Sequence, residues 1–273
     1  MTVRRTPLLM GVINVTPDSF SDGGLFLDPS HAIDHALRLV DDGASIIDIG
    51  GESTRPGSDP VDEATERSRI LPVIRGLASQ TAAAISVDTR RPSVARAAIE
   101  AGASIWNDVS ALTYAPESLL TAASLSCRIV LMHAQGDPKT MQDDPKYGDV
   151  LIEVRDFLAA RIAAAEAAGV DRARLIVDPG VGFGKTPAHN LALIDGLPAI
   201  VGLGLPVLLG ASRKRFIAAL DRHGPAAARL GGSIAAALAG AARGASILRV
   251  HDVAATRQAL AVHAALESAA SAR

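Results

Sequence analysis

The sequence predicts a single (β/α)8 barrel, on three observations. Short, continuously apolar runs recur about eight times and alternate with Ala-rich amphipathic segments, the pattern of parallel strands covered on both faces. Gly-Ala-Ser-Ile closes three of those segments, at Gly43–Ile46, Gly102–Ile105 and Gly244–Ile247. There glycine supplies the left-handed stop of a helix, alanine packs closely, and isoleucine opens a buried strand. Finally, no low-complexity linker or composition break interrupts the 273 residues, so one domain over 1–273 is expected. An open doubly wound sheet remains the structural alternative, because strand order is not written in a single sequence.

Taken in order, strands are expected at Leu8–Val12, from Ile46, at Ile85–Val87, from Ile105, at Ile129–Met132, at Leu175–Val177, at Val207–Leu209 and from Ile247. Helices are expected over His31–Asp41 after Asp28-Pro29-Ser30, over Glu63–Ala78 after Asp62, and over Ser93–Ala101 after Arg91-Pro92. Proline in a first helical turn gives up no hydrogen bond and marks a start. The most membrane-like window, Ala226–Leu248, contains Arg229, Arg243 and several glycines and owes its apolarity to alanine. It reads as a buried helix and not as a span.

Composition narrows the function classes. Lys and Arg number 27 against 29 Asp and Glu, a formal charge of −2, without the basic excess that nucleic acid requires. With 48% hydrophobic but only 3% aromatic residues, the core must be built from Ala, Val, Ile and Leu. Cys127 is the sole cysteine, which excludes an intramolecular disulfide and a thiolate zinc site. Asn14, Thr16 and Asp18 interrupt the apolar stretch after Arg4-Arg5 too early for a signal peptide. A cytoplasmic protein with no membrane attachment is the expectation.

In such barrels the site gathers at the C-terminal ends of the strands. The eight ends carry Asn14, Asp48 to Arg55, Asp88, Asn107-Asp108, His133, Asp178, Ser212-Arg213-Lys214, and Arg249 with His251. Acids and amides come early and cations late, so a site with two poles is expected. Asp88, Asn107 and Asp178 suit a heterocycle with amide and amidine edges: a carboxylate accepts two N–H bonds in a plane, and asparagine offers a donor and an acceptor. Capping of the following helices is the alternative role for the two aspartates. Ser212-Arg213-Lys214, together with Arg249 and His251 two apart on an extended segment, would grip a diphosphate; a solvated basic cluster is the plainer alternative.

DPGVGFGK, Asp178–Lys185, fails the P-loop pattern because Pro179 stands where the first glycine belongs, and the dinucleotide pattern because Lys185 holds the third glycine position. It reads as a loop bending sharply over a ligand, with Phe183 exposed as a stacking face. His133 and His251 lack metal-ligand spacing, whereas an oxygen of Asn14 with diphosphate and water suits Mg²⁺. The polar stretches 14–28 and 50–61 are candidates for mobile lids.

Seven segments, MGVINVTPDSFSDGG from Met10, DIGGESTRPG from Asp48, SVDTRRPSVARAAIEAGASIWNDVSAL from Ser86, LMHAQGDPKTMQ from Leu131, DPGVGFGK from Asp178, LGASRKRF from Leu209 and LRVHDV from Leu248, closely resemble the dihydropteroate synthase family. These are folate-pathway, pterin-binding transferases targeted by sulfonamides. The likeness runs from about Leu8 to Ala261. It implies a (β/α)8 barrel, usually a homodimer, that condenses 6-hydroxymethyl-7,8-dihydropterin diphosphate with p-aminobenzoate to give 7,8-dihydropteroate and pyrophosphate.

By motif position, the resemblance implies that Asp88, Asn107, Asp178 and Lys214 hold the pterin, while Asn14, Arg249 and His251 bind the diphosphate and its Mg²⁺, with Asn14 on the metal. Thr54, Arg55, Pro56, Phe20, Phe183 and Ser212 would shape the aminobenzoate site, with Asp18 and Asp22 in the first loop; Asp178, Lys214, Asp22 and Arg55 would carry catalysis. The sequence departs from common patterns at Arg90-Arg91, at Trp106 and at Ala111, which leaves the packing of the fourth strand open. Two alternatives are a pterin-binding methyltransferase of the same fold, which needs no diphosphate grip, and a non-catalytic pterin-binding protein, which needs neither the loops nor the cations.

Overall fold

A computed structural model describes residues 6–16, 29–52, 61–136 and 140–271. The expectations at Asp18, Phe20, Asp22, Thr54, Arg55 and Pro56 lie outside the described residues. Eight parallel strands, β1 (Leu8–Asn14), β2 (Ile46–Gly50), β3 (Ala84–Asp88), β4 (Ile105–Asp108), β5 (Arg128–Met132), β6 (Leu175–Asp178), β7 (Leu208–Leu209) and β8 (Ile247–Val250), form one sheet. Their order is β6-β5-β4-β3-β2-β1-β8-β7, each strand beside its neighbours in sequence. A parallel bridge between Val177 and Val207, with the Val177 N–H donating to Pro206 O at 3.0 Å, draws β7 back towards β6. The sheet therefore curls into a barrel, and the open alternative is excluded.

The helices are α1 (Pro29–Asp41), α2 (Glu63–Ala78), α3 (Pro92–Glu100), α4 (Ser118–Ser124), α5 (Val150–Ala167), α6 (Pro187–Asp195), α7 (Leu197–Val201), α8 (Arg215–Leu220), α9 (Leu230–Ala242) and α10 (Val253–Ser271). The Asp62 side chain caps α2 by accepting from the Thr65 N–H at 2.8 Å, as its residue type favours. Gly43, Gly102 and Gly244 take φ of +110°, +117° and +99°, the conformation their repeated motif predicts. The last of them corrects one expectation. Ala226–Leu248 is not one helix: a 3-10 turn at Ala226–Arg229 leads into α9, and beyond Gly244 the chain extends as β8.

Alternate residues divide the strands between two environments. Met10, Ile46, Ala84, Ile105, Val130, Ile176, Leu208 and Ile247, one from each strand, pack together inside the barrel. Leu9, Ile13, Ile47, Ile49, Ile85, Val87, Ile129, Leu131 and Leu248 point the other way and pack under the helices. Trp106 belongs to this outer set: it is fully buried, and its Nε1 donates to Thr89 O at 2.7 Å. Two residues beyond the inner apolar layer, the same face carries Asp48, Ser86, Asn107, Asp178 and Arg249. The barrel thus has an apolar floor and an ionic layer directly above it, at the C-terminal mouth.

Candidate active site

The ionic layer is organised first around Arg249. Its Nε donates to Asp48 Oδ2 at 2.6 Å and its Nη2 to Asp88 Oδ2 at 2.9 Å. Asn107 Nδ2 donates to the same Asp48 oxygen at 3.2 Å. Burial works against the Arg249 charge, but Asp48 and Asp88 outweigh it and hold its pKa above the ordinary value. Burial likewise pushes Asp88 up to about 7; Arg249 opposes that rise, while Asp48, Glu66 and Asp108 reinforce it. Among the described residues, Asp48 Oδ1 and Ser86 Oγ are buried without a hydrogen-bond partner. Polar atoms in that condition call for a donor from a ligand.

The second organiser is a pair of lysines beside Asp178. Lys185 is 2% exposed; its Nζ donates to Phe183 O at 2.9 Å and lies 3.0 Å from His133 Nδ1. Burial lowers its pKa to about 7, with Asp178 opposing. Burial and the neighbouring Lys185 depress His133 to about 3, so the imidazole is neutral and accepts from the ammonium. Lys214 is half-buried, donates to Val181 O and lies 4.5 Å from the centre of the Phe183 ring. Burial lowers its pKa to about 8 against the pull of Asp178. Asp178 itself is pushed up by burial and drawn down by Lys214.

The loop that carries these groups needs its glycines. Gly180 and Gly184 have φ of +68° and +63°, and a methyl group on either would lie 1.7 Å from His133 O or 2.3 Å from Gln135 O. The loop after β6 is thereby pressed against the loop after β5, which seats Lys185 on His133. Phe183 is half-buried, not exposed, because Lys214 covers its ring.

Asp178 Oδ1 accepts from the Gly180 N–H at 2.7 Å, but neither site aspartate caps a helix. Thr186 caps α6, accepting from the His189 N–H at 3.2 Å, and α3 begins after Arg91 with no side-chain cap. The capping alternative fails for Asp88 and Asp178 alike.

The expected cationic pole is divided among three places. Arg249 sits among the acids. Arg213, with φ of +57°, holds Asp252 through Nε at 2.9 Å and Nη2 at 2.5 Å, and so serves the β7–β8 junction. Ser212 Oγ lies 3.0 Å from His251 Nδ1; these two and Lys214 are what remains at the mouth. Asn14 ends β1 opposite Gly50. A methyl group on Gly50 would lie 3.7 Å from Asn14 Oδ1 and 3.6 Å from Asp88 Cβ, so the asparagine and Asp88 flank the same glycine. No group of three or more His, Cys, Asp or Glu able to hold a metal occurs among the described residues.

Two residues of the site escaped the sequence reading of roles. Asp48 could have been assigned from alternation, since it lies two residues beyond inward Ile46 and pairs with Val12 and Ser86. Lys185 carried no such signal, because its burial follows from the glycine loop folding back onto His133.

The family profile described as Pterin binding enzyme matches residues 10–251. Dihydropteroate synthase of Escherichia coli (strain K12) is 46% identical over 263 residues, which cover 96% of this chain and 93% of that one. The structure of Xanthomonas albilineans dihydropteroate synthase with 4-aminobenzoic acid is similar at a TM-score of 0.90 and 51% identity, covering 96% of this chain and 93% of that one. Another structure of the Xanthomonas albilineans enzyme, in complex with 7,8-dihydropteroate, gives a TM-score of 0.87 and 48% identity over 96% and 94% of the two chains.

Proposed function

The chain belongs to the pterin binding enzyme family and has the activity of dihydropteroate synthase, a transferase of folate synthesis, and from that premise we propose how its residues divide the reaction. The observation that carries the reading is the ionic layer set on an apolar floor. A flat pterin standing in the barrel mouth would present its amide and amidine edge to Asp88, Asn107 and Asp178, where carboxylate oxygens and one amide match its donors and acceptor. Arg249 keeps Asp88 and Asp48 apart and aligned. Lys214 lies over Phe183 and beside Asp178, where it would meet the other end of the heterocycle.

The leaving diphosphate then lies at the rim, within reach of Asn14, Ser212, Lys214 and His251. The donor set there fits a magnesium ion that arrives on the diphosphate: Asn14 offers one hard amide oxygen, and no carboxylate cage surrounds it among the described residues. Bound to Asn14, the ion would neutralise charge on the departing group. An electron-rich dihydropterin stabilises positive charge at the carbon that loses diphosphate, so departure leads and attack follows. Asp178 faces that charge. The aromatic amine of p-aminobenzoate is already neutral near pH 7 and needs no strong base. Thr54, Arg55, Pro56 and Phe20, with Phe183 and Ser212, are assigned to the aminobenzoate; Asp22 and Arg55 complete the catalytic set with Asp178 and Lys214. The enzyme is further taken to be a cytoplasmic homodimer, folded as one domain over 1–273.

The diphosphate grip separates this reading from a methyltransferase, and turnover separates it from a passive pterin binder. Purified protein, both substrates and Mg²⁺ should release one pyrophosphate per dihydropteroate, with a sulfonamide competing against aminobenzoate. Pterin binding without pyrophosphate release would refute the assignment.

A further inference from the structure

Five successive carbonyls of the loop after β6 are each taken by a different side chain. Val181 O accepts from Lys214 Nζ, Gly182 O from Gln142 Nε2 at 2.7 Å and Phe183 O from Lys185 Nζ at 2.9 Å. Gly184 O accepts from the Tyr147 hydroxyl at 2.9 Å, and Lys185 O from Asn190 Nδ2 at 3.4 Å. Gln142, Tyr147 and Asn190 are neutral donors. Under Phe183 the donor is instead the buried amino group of Lys185, a residue of the loop itself. Three acceptors converge on that nitrogen, Phe183 O, His133 Nδ1 at 3.0 Å and His133 O at 3.4 Å, one for each N–H of an ammonium. His133 is fixed in turn: its backbone N–H donates to Asp178 O at 3.1 Å, and its ring meets that of Phe157 edge-on at 4.8 Å. Lys185 therefore ties the backbone of Phe183 to a firm seat just past β5.

We propose that Lys185 is a positioning residue for the aminobenzoate, setting where the Phe183 ring stands by holding the Phe183 carbonyl against His133. The inference rests on the reading above that Phe183 serves the aminobenzoate. A buried charge is an expensive way to staple a loop, and the neutral donors beside it hold neighbouring carbonyls without that cost. What the ammonium adds is three bonds from one point, so Phe183 O cannot shift without leaving Lys185 short of a partner. The position needs such a hold. Phe183 stands between Gly182 and Gly184, with φ of +84° and +63°, and glycines on both sides leave the intervening residue little intrinsic restraint. The groups assigned to the pterin do not hang on this bond. Asp88 and Asn107 belong to other strands, Asp178 Oδ1 is held by the Gly180 N–H, and Lys214 grips the loop beyond Gly182. Of the cations that draw the Asp178 pKa down, Lys185 acts least, after Lys214 and Arg249. Loss of Lys185 should therefore fall on one substrate.

The test compares Lys185→Met, His133→Leu and Phe183→Ala, with each of the first two also combined with Phe183→Ala, in the intact enzyme, measuring kcat, KM for both substrates and Tm. Lys185→Met should raise the aminobenzoate KM about tenfold, while KM for the dihydropterin diphosphate changes less than about threefold. His133→Leu removes one of the three acceptors and should give a smaller rise in the same direction, so it decides the matter should Lys185→Met not fold. The combined variants separate positioning from general support of the loop. Once residue 183 is alanine there is no ring to place, and either second substitution should raise the aminobenzoate KM less than about twofold further. Effects that multiply in full, an equal rise in both KM values, or a lower Tm with both unchanged, overturn the proposal. An aminobenzoate KM that responds to Phe183→Ala but to neither Lys185→Met nor His133→Leu faults the positioning alone. One that Phe183→Ala leaves unchanged faults the reading on which it rests.

Discussion

The two halves of the ionic layer use the same kinds of charge in opposite ways. On the β1–β4 and β8 side, one guanidinium is locked between two carboxylates, and Arg249, Asp48 and Asp88 together carry a formal charge of −1. On the β5–β7 side, two ammonium groups surround one carboxylate, and Lys185, Lys214 and Asp178 together carry +1. Arginine keeps its proton under any burial a protein imposes, whereas a desolvated lysine can lose it. The first cluster is accordingly built on a cation that keeps its proton, and the second on cations that burial brings towards titration. The two poles exist, but they are divided by side-chain chemistry and not by early and late strands.

The sharpest way to break the contrast is to remove the central cation from each half. Arg249→Met removes the cation shared by Asp48 and Asp88, leaving Asp48 with its bond from Asn107 alone, and should cost about 3–5 kcal/mol in denaturant unfolding, together with loss of pterin binding. Lys185→Met removes a charge that burial already disfavours and sacrifices bonds to Phe183 O and His133 Nδ1. Its cost should be about 1–2 kcal/mol. If the two variants were equally destabilising, the distinction between the two kinds of cation would be wrong.

A gentler probe is the dependence of stability on pH. Asp88, raised from 3.8 to about 7, binds its proton more tightly in the folded state, so its contribution is present below pH 3.8 and is lost as the pH rises to 7. Lys185, lowered from 10.5 to about 7, binds its proton less tightly when folded. Its penalty is present in full below pH 7 and is relieved as the pH rises to 10.5. Asp88→Asn should therefore flatten the falling limb of unfolding free energy against pH, and Lys185→Met the rising limb. Effects on the reverse limbs would contradict the assignment.

Much of this was legible in the sequence wherever the cause was local. The glycine stops at 43, 102 and 244, the Asp62 cap and the proline at the start of α3 each act within one turn of chain, and residue type alone located them. The ends of the apolar runs placed Asp88, Asn107 and Asp178 at strand ends. What stayed hidden depends on partners far along the chain. Arg249 finds Asp48 across a separation of 201 residues, and Arg213 is withdrawn to Asp252 by its own left-handed backbone. Neither pairing leaves a pattern in a row of letters, so three cations near the last strands read as one grip. The same holds for Lys185, whose burial is a property of two loops pressed together.

Asp178 is both the carboxylate proposed to face the pterin and the acid set beside the lysine pair. Pyrophosphate release by Asp178→Asn, measured beside its thermal unfolding, is the decisive comparison. Turnover should fall by about two orders of magnitude or more while Tm stays close to that of the unaltered enzyme. Undiminished release, or loss that merely follows unfolding, would contradict the claim that this charge acts on the bound dihydropterin.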